Sequence, residues 1–265
     1  MTLDRTESPP TSPHPYHRLD ISAPEFWDND FRTRDDTFAA LRAEDGLTWH
    51  HPIPAVFPHQ ETGYWAATRH ADIKYVSHHE GLFCSSLGVS VDPMPAEIQR
   101  TMTFFLAMDP PEHTRYRRLI SSAFTPRQVR RTEDQIRANA REVVDGLLEA
   151  LRRGDQIDFV ASCSGKLPMR TISDMIGIEP ADRETVAYAA ECLFSGSDDE
   201  YAPLEERAVH VMAQLGVLSN TGIELAQLRR QDPREDLVSE LVNAEVDGHR
   251  LTDNEIGAFM VLLGS

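Results

Sequence analysis

Apolar residues fall in two regimes along this chain, short runs of alternating or isolated positions before about residue 80 and helical spacing after about residue 110. In the first part a helix is expected over residues 36–44, with Phe38, Ala40 and Leu41 on its inner face. Two β-like runs follow at 47–51 and 64–68, joined by the Pro- and Gly-containing stretch 52–63 as a hairpin with a long loop. A helix over 71–78 carries Ile73 and Val76. Residues 83–107 hold Gly88, Pro93 and Pro95, then the bulky group Met102, Phe104, Phe105 and Leu106. Such a segment either supplies the wall of a pocket or plugs a core. Beyond it, helices are expected over 110–124, 131–152, 163–176, 181–194, 204–230 and 233–246, with a short strand at 157–160. A last helix opens at 251–255. The class is mainly α with a small β region.

The helix at 110 has the sharpest start signal. Asp109 suits the N-cap, Pro110 the first helical position and Glu112 the third, where it completes a capping box. Thr125 and Pro126 repeat a start signal, so the first helix ends near Phe124. At 100° per residue, Tyr116, Leu119, Ile120, Ala123 and Phe124 form one apolar face. Arg115, Arg118 and Ser122 lie outside it, while His113 and Arg117, one turn apart, fall within or beside it. An arginine aimed at a core needs an anion or a dense set of acceptors. One reading pairs Arg117 with a carboxylate of the chain, which has 43 acidic residues to offer. The other has His113 and Arg117 converge on the carboxylates of a buried anionic ligand.

Composition narrows the function classes. The net charge of −17 opposes nucleic-acid and anionic-membrane binding. No apolar run has the length of a bilayer span. Residues 1–18 begin with a stretch rich in Pro, Ser and Thr and read as a disordered arm, leaving 19–265 as one domain. Cys84, Cys163 and Cys192 are scattered, outside any zinc-type spacing, and fit a reducing cytoplasm. The adjacent pairs His50-His51 and His78-His79 diverge in direction and read as ordinary surface histidines. Dinucleotide, P-loop and nucleophile-elbow motifs do not occur.

The stretch from Met108 to Arg127, MDPPEHTRYRRLISSAFTPR, resembles the C-helix region of the bacterial cytochromes P-450. Tyr64-Trp65-Ala66-Ala67-Thr68-Arg69-His70 is similar to that family's first sheet leading into its B helix. Asp232-Pro233-Arg234 and Leu251-Thr252-Asp253 resemble the openings of its H and I helices. The resemblance implies that His113 and Arg117 bind the propionates of haem b, and that the completed protein is a monooxygenase placing one oxygen atom of O2 into a hydrophobic small molecule. It also implies pocket positions at Met102, Phe104, Phe105, Leu262 and Ser265, which point to a steroid, fatty acid or terpenoid. Between His113 and Thr132 six arginines stand without an acidic residue. They are either a solvated basic face or, in the outward members Arg115 and Arg118, a dock for a ferredoxin-like electron donor.

Thr252 and Glu255 form another capping box, and residues 258–263 are apolar all round, the mark of a helix buried on every side. The sequence stops soon after, so the expectation is a truncated cytochrome P-450 fold ending inside the I helix. The axial Cys ligand and the oxygen-activation motif are then absent, and none of the three cysteines stands in a ligand loop. Such a chain is expected to be inactive alone. The alternative is a non-catalytic remnant or a helical interaction module.

Overall fold

The computed structural model describes residues 11–54, 59–91, 99, 104–124, 126–194 and 206–264. They form two compact units, Met1–Gln99 and Arg100–Ser265.

In the first unit Asp30 accepts a hydrogen bond from the Thr33 backbone N–H at 2.8 Å and starts helix α2 (Phe31–Ala43), after a single turn α1 (Pro24–Trp27). The helix thus begins five residues before the expected 36, because after the exposed Phe31 residues 32–36 are all polar and show no apolar rhythm. Strands β1 (Thr48–His50) and β2 (Tyr64–Ala66) pair antiparallel, Thr48 opposite Ala66 and His50 opposite Tyr64, as the hairpin reading required. Helix α3 follows at His70–His78. Ile21, Phe26 and Leu41 make the core, with Leu19, Phe38, Tyr64 and Ala66 packed around them. Residues 11–18, assigned above to an unstructured arm, lie on the hairpin: Tyr16 donates to the Thr62 carbonyl at 2.6 Å and Trp49 Nε1 to Ser12 Oγ at 2.9 Å.

One of the histidines read as surface is buried. Along β1 alternate side chains face opposite ways, so His50 goes inward at 1% exposure while His51 stays out, stacked on Tyr16. His50 Nε2 lies 2.8 Å from Thr48 Oγ1, and its Nδ1 has no partner among the described residues. Burial, then the neighbouring His17, hold its imidazole below the usual histidine range, with Asp20 acting in the opposite sense. The folded state therefore carries His50 neutral, and the unfolded chain binds the extra proton as pH drops below about 6.5. Stability of this unit should be full above that pH and decline as pH falls through the lowered value. His50→Phe should flatten that acid-side slope in urea unfolding between pH 7 and 5.

The second unit is built almost wholly of helices: α4 (Glu112–Ala123), α5 (Pro126–Arg153), α6 (Lys166–Ile176), α7 (Arg183–Phe194), α8 (Arg207–Gln231), α9 (Leu237–Asn243) and α10 (Asp253–Gly264). A 3-10 turn, Phe104–Ala107, precedes α4. The mainly helical class with small β elements holds. Two expected elements are different. The strand at 157–160 does not form; the chain turns there into a π-helical turn, Val160–Ser164, with Phe159 and Val160 exposed. The helix expected over 233–246 is short, because Asp236 caps it by accepting from Ser239 N–H at 2.8 Å and it ends at Asn243. A hairpin of β3 (Glu245–Val246) and β4 (His249–Arg250) follows, turning through Asp247 and Gly248.

Helices α8 and α10 touch backbone to backbone. A Cβ on Gly222 would stand 2.9 Å from Gly257 Cα, and one on Gly257 would stand 2.8 Å from the Ser219 carbonyl oxygen. Leu218, Leu225, Ile256, Phe259, Met260 and Val261 fill the space around that crossing, all buried. The other fixed point is Arg229, whose side chain is wholly enclosed. Its Nε bonds Asp236, and its Nη2 donates to the Gly177 carbonyl at 3.1 Å. Gly177 ends α6 at φ +92, and any Cβ there would sit 2.9 Å from that guanidinium. Removing Asp236 leaves a buried cation unpaired. Asp236→Ala should cost about 3–5 kcal/mol in urea unfolding, whereas Arg137→Ala, which breaks an exposed pair with Glu133, should cost under about 1 kcal/mol.

Candidate functional site

Helix α4 begins at Glu112, three residues after the expected cap at Asp109. Pro110 precedes Pro111, a position that disfavours helical backbone, and neither ring carries an N–H. The Pro110–Pro111 bond is cis. The N-cap is Pro111 and makes no side-chain bond, so the expected capping box does not form; instead the His113 N–H returns to the Asp109 carbonyl at 3.0 Å.

The apolar face forms as its spacing requires, with Leu119 at 1% and Ile120 at 7% exposure, while Phe124 at its end stays partly open. Tyr116 is half-buried on the same side. The Tyr116 hydroxyl donates to the Glu255 carboxylate at the start of α10. Burial first, then the negative Glu255, push the Tyr116 phenol up to about 12. Phe104 meets the Tyr116 ring edge-on at 5.3 Å and Phe259 of α10 at 6.4 Å. Phe105 lies between Phe259, at 6.3 Å, and the His113 ring, at 5.9 Å and nearly parallel. An aromatic cluster thus joins the 3-10 turn, α4 and α10.

His113 is half-buried and Arg117 exposed. Among the described residues no carboxylate lies within salt-bridge reach of Arg117, and neither His113 ring nitrogen makes a hydrogen bond. Among the described residues, the side-chain N–H donors of His113 and Arg117, one turn apart, thus have no acceptor. Arg117 does not point into the core as the wheel allowed; it stands at the rim, where its long stem keeps the guanidinium in water.

Arg115 and Arg118, on the opposite side of α4, border a cleft of about 590 Å3 with Glu112, Asp247 and His249. Arg115 is 4.0 Å from Glu112, so this basic face is interrupted by the chain's own acids. Of the pocket residues read from the sequence, Phe104 is a core residue at 5% exposure, while Phe105 and Leu262 are half-buried. Met102 and Ser265 lie outside the described residues. Cys84 is exposed, Cys163 half-buried and Cys192 enclosed, 3.5 Å from His210 Nε2. No cluster of three metal-binding side chains occurs among the described residues, and none of their helices is long and apolar enough to cross a membrane.

Sequence reasoning missed Tyr116 and Glu255, 139 positions apart. The capping box predicted at Thr252 did form: Glu255 N–H donates to Thr252 Oγ1 at 3.2 Å and Thr252 N–H to Glu255 Oε2 at 2.8 Å.

No protein-family model matches the chain. Among curated proteins it is 31% identical over 259 residues to a methyl-branched lipid omega-hydroxylase of Mycobacterium tuberculosis, covering 98% of this chain and 60% of the relative. It is 32% identical to a steroid C26-monooxygenase of Mycolicibacterium smegmatis, covering 86% of this chain and 52% of that one. Among solved structures, a Mycobacterium marinum cytochrome P450 in complex with pseudoionone superposes with a TM-score of 0.87 at 45% identity, over 96% of this chain and 61% of that one. An open cytochrome P450 of S. erythraea gives a TM-score of 0.66 at 28% identity, over 86% and 53%. The chain spans half to three fifths of the length of these relatives.

Because Phe104 fills the joint between α4 and α10, Phe104→Ala should cost about 3–5 kcal/mol of unfolding free energy in urea, with Phe104→Leu costing less.

Proposed function

The chain belongs to the cytochrome P450 family, as an amino-terminal portion of that fold, and from this premise we propose that α4 is its haem-binding helix, with His113 and Arg117 holding the propionates. The supporting observation is the pair itself: two donors one turn apart, neither engaged by a carboxylate of the described chain, beside a half-buried aromatic, Phe105. The residues present fit the group. A propionate is a carboxylate, and the planar fork of Arg117 offers it two parallel N–H donors, while the His113 ring offers a third from the preceding turn. Burial of His113 strengthens that bond relative to water, whereas Arg117 at the rim serves as the outer clamp.

Bound haem supplies the activation of O2, with electrons from a donor protein, and the transfer of one oxygen atom into a C–H bond. The chain's own part is to orient the group and to keep water from its apolar side. Phe105 and Leu262, half-buried and apolar, fit the pocket wall, and Phe104 supports them from the core. The substrate class we propose is a hydrophobic lipid, steroid or terpenoid. The relatives' names support it: a methyl-branched lipid hydroxylase, a steroid monooxygenase and a complex with pseudoionone. The outward face with Arg115 and Arg118 is proposed to meet a ferredoxin-like electron donor, by attraction between its arginines and the donor's acids. A cytoplasmic setting fits three cysteines without a disulfide.

Haemin titrated into the 265-residue chain tests the central assignment. His113→Ala and Arg117→Ala should each weaken binding about tenfold or more, as loss of a charge-assisted hydrogen bond does. With none of its three cysteines placed as a ligand, the reduced carbon monoxide complex should lack a thiolate-type Soret band. Unchanged affinity in both variants would contradict the assignment.

A further inference from the structure

The joint between α4 and α10 carries more than packing. Glu255 uses one carboxylate for two elements at once. Its Oε2 closes the cap of α10, receiving Thr252 N–H at 2.8 Å and Thr252 Oγ1 at 2.9 Å. Its Oε1 receives the Tyr116 hydroxyl. Tyr116 stands on α4 three residues after His113 and one before Arg117, so whatever fixes the turn at Tyr116 fixes the direction of both basic side chains. A phenylalanine would pack against Phe104 equally well; only the hydroxyl reaches Glu255.

We infer that Tyr116 and Glu255 are positioning residues: their hydrogen bond sets the rotation and height of α4 against α10, and so aims His113 and Arg117 at the acidic groups of the ligand. The bond joins a neutral donor to an ionised acceptor in a half-buried place, the kind that is stronger and more directional than a neutral pair. The raised Tyr116 phenol, held protonated to about 12, keeps the donor in place throughout the working range. Glu255 then couples two events, since the carboxylate that receives the Thr252 N–H at the cap of α10 is also the group that holds α4. Neither residue need touch the ligand. The inference rests on the reading of His113 and Arg117 as propionate ligands, and the experiment separates the two.

Haemin and its dimethyl ester, which lacks the acidic groups, are titrated under the same conditions into the full chain and into Tyr116→Phe, Glu255→Gln, the double variant and Thr252→Ala. Glutamine retains a cap acceptor and phenylalanine retains the ring contact, so both variants preserve the packing. The unaltered chain should prefer haemin over the ester by about tenfold or more. Tyr116→Phe and Glu255→Gln should each shrink that preference about threefold or more, and the double variant should shrink it no further than the stronger single. Thr252→Ala, which keeps the Thr252 backbone N–H on Glu255 and leaves the tyrosine bond intact, should lower thermal stability and shrink the preference less than either of those variants. If Tyr116→Phe and Glu255→Gln weaken haemin and ester alike, the bond is only structural and the inference fails while the basic pair stands. If the unaltered chain does not distinguish the two ligands, the propionate reading fails and this inference goes with it. Should Glu255→Gln not fold, Tyr116→Phe decides, because it removes one oxygen atom and no ring contact.

Discussion

The carboxy-terminal unit depends on a close crossing. Gly222 and Gly257 let α8 and α10 approach until backbone meets backbone, and no other residue type fits either place without displacing the partner helix. With α10 seated there, its first turn has one position, and with it the carboxylate of Glu255. From Glu255 the constraint passes to Tyr116 and hence to α4. The aromatic side chains Phe104, Phe105 and Phe259 fill the gap between the helices and make the link stiff rather than hinged. A helix held at its inner face is free to leave its rim side chains without partners of their own. Among the described residues, His113 and Arg117 have no hydrogen-bond acceptor of their own.

Charge follows the same division of labour. The enclosed cation, Arg229, bonds Asp236 through Nε and the Gly177 carbonyl through Nη2, with Nη1 unpaired among the described residues, and it holds three chain segments together. Other arginines, such as Arg137, Arg153 and Arg250, make exposed pairs of small energetic worth. Arg117 belongs to neither group. Among the described residues its guanidinium has no carboxylate within salt-bridge reach, and the proposed propionate contact would give it one.

Much of this was legible in the chain. The Thr252 and Glu255 spacing located the start of α10, the alternation around Tyr64 located the hairpin, and the apolar stripe through Leu119 and Ile120 gave the inner face of α4. The misses have particular causes. Two prolines in a row moved the start of α4, because the residue before a proline resists helical backbone. The Asp-Gly pair at 247–248, where Asp247 has φ 54 and Gly248 φ 78, is a hairpin signal that the helical reading of 233–246 overran. The run 157–160 has strand-forming residues, but among the described residues each strand already pairs within its own hairpin. Strand alternation put His50 inside even though both members of its pair were read as outside. The Tyr116 to Glu255 bond left no trace in spacing, since it joins residues that only the tertiary fold brings together.

The most direct measurement is a crystal structure of the chain soaked with haemin. The account predicts the two propionates within hydrogen-bonding distance of the His113 ring and the Arg117 guanidinium, with the Tyr116 hydroxyl still on Glu255. Haemin bound elsewhere, with His113 and Arg117 turned onto carboxylates of the protein, would contradict it.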